Sequence, residues 1–429
     1  MWANWRRRLT WVLAALTAVI GVIVAPAPGP EHVSSVADSV RGMSDNARVA
    51  YLLKHPTLAV RYGNTNPDDT AKSWKRATAK DRAALERVLP QYVGNLDGIP
   101  YATRDAANRR VLASEIAKTR AVLAKRPADA SALRMQHALK AIAATVGGHH
   151  SPKRYLITLT PDKPPLAAVA VGNLDTARQI TFAVPGMGTY TDDMQLWTQS
   201  AQNIYDSQGR VGAPRARAVV SWIGYVTPPP GIDATLGDYA ARGAPLLVSE
   251  LRGVNAARAD DPPQSVSIVA HSYGTTTVAD ALAEAPGLNI YAYVMLGSAG
   301  IEDTIATASD LHAQHAYAGE AASDPEARFG RLTRRDPRSP GFGAILLSVD
   351  GDPAAGLLAV TGHEPILHSP WNDDPLSSAW SGIKNTKLFT EEYEAHFTRY
   401  GYLDNGTESL LNAATVTTPD ATRKLNPRH

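Results

Sequence analysis

Apolar and charged residues alternate along this chain with two different periods, and the change falls near residue 150. Between residues 34 and 150 apolar positions recur three and four apart, with charge on the opposite faces, which predicts helices. Val40, Ala47, Ala50, Tyr51 and Leu52 form one such face, and Leu85, Val88, Leu89 and Tyr92 a second. Residues 108–125, with Val111, Leu112, Ile116 and Val122, and residues 131–146 predict two more helices. A turn-rich connector, Val93-Gly94-Asn95-Leu96-Asp97-Gly98-Ile99-Pro100, lies between them. No catalytic constellation stands out in this region, which reads as a scaffold beside a second unit. His149-His150 follows a Gly-Gly pair and reads as a solvated loop.

Beyond Lys153 short strand-like runs take over. Residues 155–159 and 166–171 predict a hairpin, and further strands are expected at 180–184, 216–223, 266–269, 291–296, 315–321 and 344–349. Helices are expected at 191–205, 236–251, 277–285, 303–312 and 403–413. Strands alternating with helices make a mainly parallel sheet. The prediction is an α/β domain over residues 153–425 with eight strands, beside a helical region at 34–150. Residues 350–390, rich in Pro, Gly and Asp, read as an inserted surface loop.

The first 30 residues are of another kind. Arg6-Arg7-Arg8 precedes an uncharged, mostly apolar run over residues 9–24, closed by Ala25-Pro26-Ala27-Pro28-Gly29-Pro30. A basic start, apolar middle and small-residue end predict an export signal. The run falls between a signal core and a full membrane span, and Pro28 stands where cleavage after Ala27 would occur. Residues 1–30 are therefore expected to act as a signal peptide or a membrane anchor, leaving the body secreted or on the outer face of the cytoplasmic membrane.

Composition narrows the chemistry. The chain has 429 residues, 44% hydrophobic and 20% charged, enough for a large core. A net charge of +2 gives no reason to expect a nucleic-acid partner. The absence of cysteine excludes disulfides, thiolate metal sites and a thiol nucleophile.

The stretch richest in chemistry is Ser265-Val266-Ser267-Ile268-Val269-Ala270-His271-Ser272-Tyr273-Gly274-Thr275-Thr276. A β-branched strand, a tight turn with a central Ser and a helix with small residues form the setting of a nucleophile elbow. Ala270 and Gly274, two positions either side of Ser272, are small enough for strand and helix to approach closely. A Ser hydroxyl needs a His to take its proton and an acid to orient that His. In chain order after the Ser, the acid is expected at Asp324 behind the seventh strand, with Asp303 behind the sixth as the alternative. Three histidines follow the eighth strand: His363, His368 and His396. His396, the last before the closing helix, is the preferred base; His363 and His368 fall in the expected insertion. His271 reads as a packing neighbour of Ser272, and His312 and His315 lie on different elements. The oxyanion donors are expected to be the N–H groups of Tyr273, directly after the Ser, and of Met187 in Pro185-Gly186-Met187-Gly188-Thr189 behind the third strand.

These residues resemble one family, the actinobacterial α/β-hydrolases long grouped as a domain of unknown function. The resemblance rests on the connector at 93–100 with Arg104-Asp105-Ala106-Ala107-Asn108-Arg109, and on Pro185-Gly186-Met187-Gly188-Thr189. It extends to Trp222-Ile223-Gly224-Tyr225, to Ala270-His271-Ser272-Tyr273-Gly274, and to Leu296-Gly297-Ser298-Ala299-Gly300. It spans roughly residues 95–412. The family elbow usually reads G-H-S-Y-G, so Ala270 is a departure. The resemblance implies an α/β-hydrolase fold and a Ser-Asp-His triad, carried onto Ser272, Asp324 and His396. It implies no established substrate, and the reading needs no cofactor and no metal. The expected function is an exported serine hydrolase acting on a small-molecule or lipid ester through an acyl-enzyme. The rivals are a non-catalytic cell-envelope binding protein on the same fold and a metal-dependent hydrolase using the late histidines. Export has a direct check: protease added to intact spheroplasts should digest the body. Protection of the body, where an exported control protein is cut, would refute it.

Overall fold

The computed structural model describes residues 66–369, 399–422 and 425. The apolar run at residues 9–24 and the helical face at 40–52 lie outside them. Among the described residues no helix is long and apolar enough to cross a membrane. Five helices come first: α1 (Pro67–Arg76), α2 (Ala79–Val88), α3 (Pro90–Gly94), α4 (Tyr101–Lys125) and α5 (Ala130–Val146). Eight strands then build one sheet: β1 (Arg154–Leu159), β2 (Ala167–Val171), β3 (Gln179–Val184), β4 (Arg217–Ile223), β5 (Ser265–His271), β6 (Ile290–Leu296), β7 (Ala313–Gly319) and β8 (Ile345–Leu346).

The spatial order is β1-β2-β4-β3-β5-β6-β7-β8. β1 pairs antiparallel with β2 and β2 with β4; every later pairing is parallel. The parallel strands therefore end on one edge of the sheet, where α/β proteins gather their functional loops. Helices cover both faces, which is why the central strands read as unbroken apolar runs. Val266, Ile268 and Ala270 of β5 face one core with α7 (Asp238–Ala257) and α8 (Gly274–Glu284). Val269 faces the other, with α6 (Met194–Arg210) and α10 (Glu408–Val416).

Two expected helices differ. Residues 303–312 form only a single 3₁₀ turn, Ala308–Leu311, whose Thr307 and Asp310 satisfy each other as a cap and hold the segment short. The closing helix starts at Glu408, where the Thr407 side chain caps it by accepting the Leu410 N–H; Asp404 before it accepts N–H groups from Gly401, Leu367 and His368. The strand expected at 344–349 pairs over only two residues.

The N-terminal helices seal the free edge of β1. Asn95 exchanges two hydrogen bonds with the Leu159 backbone, donating at 2.8 Å and accepting at 2.9 Å. The Asp105 carboxylate accepts the Leu156 N–H at 2.7 Å, and Asn108 and Arg109 donate to the carbonyls of Leu156 and Arg154. Side chains thus take the place of a ninth strand on an edge that would otherwise offer unpaired backbone. Below them Arg104 lies fully buried between Asp97, at 3.0 Å, and Glu250, at 3.1 Å on α7. One cation faces two carboxylates. Burial pushes the Asp97 carboxyl up to about 7; Arg104 opposes that rise and the Glu250 charge adds to it.

Removing the cation should leave two buried carboxylates without a counter-charge, with only the Ser249 and Thr158 hydroxyls beside them. Arg104→Met should cost about 3–5 kcal/mol in urea unfolding at pH 8. The cost should shrink toward pH 5. A carboxyl whose folded pKa is raised favours folding when protonated, and that contribution is lost as pH rises through about 7. A cost that is small at pH 8, or that grows in acid, would show the cluster does not join helices to sheet in this way.

Candidate active site

β5 ends at His271, and the next residue turns sharply. Ser272 has a φ of 55°, in the left-handed region that non-glycine residues rarely occupy. Its neighbours hold it there. The Ser272 N–H donates to Leu296 O at 3.0 Å, and its carbonyl accepts from Thr275 N, Ala299 N and Thr275 Oγ1. The turn is tight because backbone meets backbone. A Cβ on Gly274 would lie 2.5 Å from Pro185 O and 2.7 Å from Val184 O. A Cβ on Gly186 would lie 2.5 Å from the Ser272 Cβ. The elbow and the loop behind β3 are pressed together at the point where Ser272 Oγ emerges.

The imidazole at Ser272 is that of His363. Its Nε2 lies 2.7 Å from Ser272 Oγ, and its Nδ1 lies 2.9 Å from both oxygens of Asp324. Asp324 follows β7 and is fully buried. It caps α9 (Pro325–Gly330), accepting the Ala327 N–H at 2.9 Å. Burial acts to raise the Asp324 carboxyl, but the hydrogen bond and charge of His363, the Ala327 N–H and the Tyr402 hydroxyl outweigh it and hold it below its ordinary value. Asp303, the alternative acid, is exposed on the surface behind β6.

His363 stands where His396 was expected to act, and His396 lies outside the described residues. The reason is the path behind β8. Residues 350–368 do not loop away from the domain. Val360 N bonds back to Val349 O, Tyr402 N to Glu364 O, and Leu403 N to Pro365 O. His368 Nε2–H donates to Arg399 O at 2.7 Å, joining the two flanks of the undescribed segment. The chain thus returns to the elbow before the segment at 370–398, and His363 rides on that return.

Two further residues complete the arrangement. The Tyr402 hydroxyl donates to Asp324 Oδ2 at 2.8 Å and accepts the Ala321 N–H at 2.9 Å. Burial and the Asp324 charge push that hydroxyl far above its ordinary value, so it stays a donor. His271 donates Nε2–H to the His363 carbonyl at 2.6 Å, and its ring lies 4.9 Å from the His363 ring. Burial first, then the neighbouring His363, lowers His271 to about 3, so the ring is neutral. Tyr402 carried no sequence signal beyond its place before the closing helix. His271 was read as a packing neighbour, and it also fixes the backbone that carries His363.

The N–H groups of Met187 and Tyr273 donate no hydrogen bond among the described residues. Tyr273 itself is anchored, its hydroxyl donating to Leu236 O at 2.6 Å and accepting the Ala240 N–H at 3.1 Å. The site thus combines a hydroxyl with a base, a carboxylate on the base, and two unpaired backbone donors beside the hydroxyl. That set suits attack on a carbonyl and stabilisation of the oxyanion.

Residues 160–333 match a family model described as Alpha/beta hydrolase. An uncharacterized protein of Mycobacterium tuberculosis is 26% identical over 296 residues, covering 62% of this chain and 45% of its own length. The chain thus spans less than half of that relative. An uncharacterized protein of Mycobacterium bovis is 29% identical over 188 residues, covering 42% of this chain and 69% of its own. Among solved structures, a carboxylesterase from Mesorhizobium loti is similar at 16% identity and a TM-score of 0.28, over 38% of this chain and 74% of its own. The esterase PE8 is similar at 13% identity and a TM-score of 0.30, over 51% and 97%.

Tyr402→Phe removes the hydroxyl from a buried carboxylate and leaves the Ala321 N–H without its acceptor. It should cost about 1–3 kcal/mol of stability at pH 7. Asp324 has a depressed folded pKa, so its contribution is present above the unfolded value and lost as pH falls through the folded one. The gap between wild type and Tyr402→Phe should therefore narrow below about pH 4. Urea midpoints across that range check it, and a gap that widens in acid would contradict the assigned bond.

Proposed function

We propose that this chain, which matches an α/β-hydrolase family model over residues 160–333, is an exported serine hydrolase that cleaves carboxylic esters with Ser272, His363 and Asp324. The observation that supports the reading most is the unbroken line from Ser272 Oγ through His363 to Asp324, at 2.7 and 2.9 Å. In the neutral site His363 Nδ1–H donates to Asp324 and Nε2 accepts the Ser272 proton. As Oγ forms its bond to the ester carbonyl carbon, that proton passes to Nε2 and the C=O pair moves onto oxygen. The Met187 and Tyr273 N–H groups receive the developing charge. When the C=O re-forms, the alcohol leaves with the proton from Nε2. Water repeats the sequence on the acyl-enzyme, releasing the acid and restoring Ser272. Asp324, held ionised by its donors, orients the ring and stabilises the imidazolium. No further group is needed to balance either half-reaction.

The basic-then-apolar N-terminus supports export and placement outside the cytoplasmic membrane. A small-molecule or lipid ester is the partner this chemistry takes. The rival, a binding protein on the same fold, separates cleanly in experiment. A fluorophosphonate probe should label the wild type and not Ser272→Ala. His363→Ala should lower kcat/KM on a short-chain ester by on the order of a thousandfold or more, while His396→Ala should cost far less. Retained turnover in folded Ser272→Ala would overturn the reading. Loss in His396→Ala with normal His363→Ala would return the base to His396.

A further inference from the structure

Three loops on the Ser272 edge of the sheet expose large apolar side chains while several of their polar neighbours are buried. Behind β4, Val226 is 51% exposed while its neighbour Thr227 is 1% exposed and donates to Thr189 O. In the same loop Ile232 and Leu236 are exposed, at 65% and 47%, while Thr235 between them is buried and donates to Ile232 O. Behind β7, Phe329 and Leu332 are exposed, Leu332 at 67%. Arg331 and Arg334 fold inward instead, while Arg328 beside Phe329 stays exposed. Arg331 reaches Glu320 and the Ser298 carbonyl, and Arg334 reaches Glu302 and the Ala234 carbonyl. Tyr190, behind β3, is also exposed. This inverts the ordinary surface rule, under which the charged groups would be out and the leucines in. The other large apolar side chains exposed among the described residues, Leu133 on α5, Ile345 on β8 and Leu358 beyond it, lie on separate elements.

The outward side chains belong to one surface. β3, β4, β5 and β7 run parallel, so all three loops leave the sheet edge that carries Ser272. They are also bonded to one another. Gly188 N donates to Pro228 O, and Thr333 Oγ1 donates to Thr235 O at 2.5 Å. The surface reaches the reaction centre from two sides: Leu236 O accepts from the hydroxyl of Tyr273, and α9, which carries Phe329, is capped by Asp324. From Val219 to Ile232 the chain carries no charged residue. Exposed apolar side chains gathered on one edge mark a binding surface, and their place on the Ser272 edge favours the substrate as its occupant.

We infer that this apolar rim binds the acyl chain of the substrate and makes the protein selective for long-chain acyl esters. The inference rests on the hydrolase reading of Ser272. The acyl group is the part of the substrate that stays at Ser272 through both half-reactions. A rim built around that residue can hold it in each, and its apolar side chains offer a long chain burial that a short one cannot use.

The test compares p-nitrophenyl laurate with p-nitrophenyl butyrate below their aggregation limits. Wild type should favour laurate in kcat/KM. Ile232→Ser and Leu332→Ser should each lower the laurate-to-butyrate ratio by about tenfold, chiefly through KM, whereas Leu133→Ser should leave it in place. A second arm needs no turnover: Ser272→Ala protein should bind dansyl-undecanoic acid saturably, and more weakly once Ile232→Ser and Leu332→Ser are added. A ratio that these variants do not move, or no saturable probe binding, overturns the inference. If fluorophosphonate labelling and butyrate hydrolysis persist in that case, the hydrolase reading stands without it. Saturable binding to a wild type that the fluorophosphonate never labels would instead sink the hydrolase reading and keep the apolar site.

Discussion

The backbone of Ser272 is the constraint on which the rest of the site depends. A left-handed φ at a side-chain-bearing residue is unfavourable alone and persists only where its surroundings over-determine it. Here they do so through four hydrogen bonds to one residue's amide and carbonyl, and through the approach of Gly274 to the backbone of Val184 and Pro185. The turn lifts Oγ clear of β5 and leaves the next N–H, that of Tyr273, without an internal partner. The emergence of Ser272 Oγ and the unpaired Tyr273 N–H are thus two consequences of one dihedral angle.

A second layer of polar groups fixes what the turn presents. Asp324 has no exposure to water, so each carboxylate oxygen must find donors within the protein. Ala327, Tyr402 and His363 supply them. His271 is held neutral by its burial and donates to the backbone of His363. His271 therefore positions the loop bearing His363, which links the turn at Ser272 to a chain segment about ninety residues later. The same economy governs the far edge of the sheet, where Asn95, Asp105, Asn108 and Arg109 stand in for a missing strand. That explains why the connector at 93–100 and the start of α4 are rich in polar residues yet lie away from the chemistry.

The strands were legible because a sheet covered on both faces demands unbroken β-branched and aliphatic runs, and their short length between turn residues set them apart from buried helices. All eight appear in the expected order. Ser272 was legible because its turn needs a small residue two positions on, and Asp324 because an acid capping a helix behind β7 leaves a local mark in Asp-Pro. The segment at 303–312 misled because its apolar residues pack without helical bonds.

The sequence by itself determined the layers, the elbow and the acid, since each of these is set by contacts within a few residues or by the period of one element. The base was a different problem. His363, His368 and His396 share the same order behind β8, and local composition favoured the last. The choice of His363 lies in long-range hydrogen bonds from 360–367 to Val349 and to 400–404, which bring one imidazole to 2.7 Å from Ser272 and turn His368 aside to Arg399. The outward placement of Leu236 and Leu332 was likewise decided by the fold. Only the fold shows that Arg331, Arg334, Thr227 and Thr235 took the interior, because buried carbonyls and carboxylates there needed donors and the apolar side chains had none to offer.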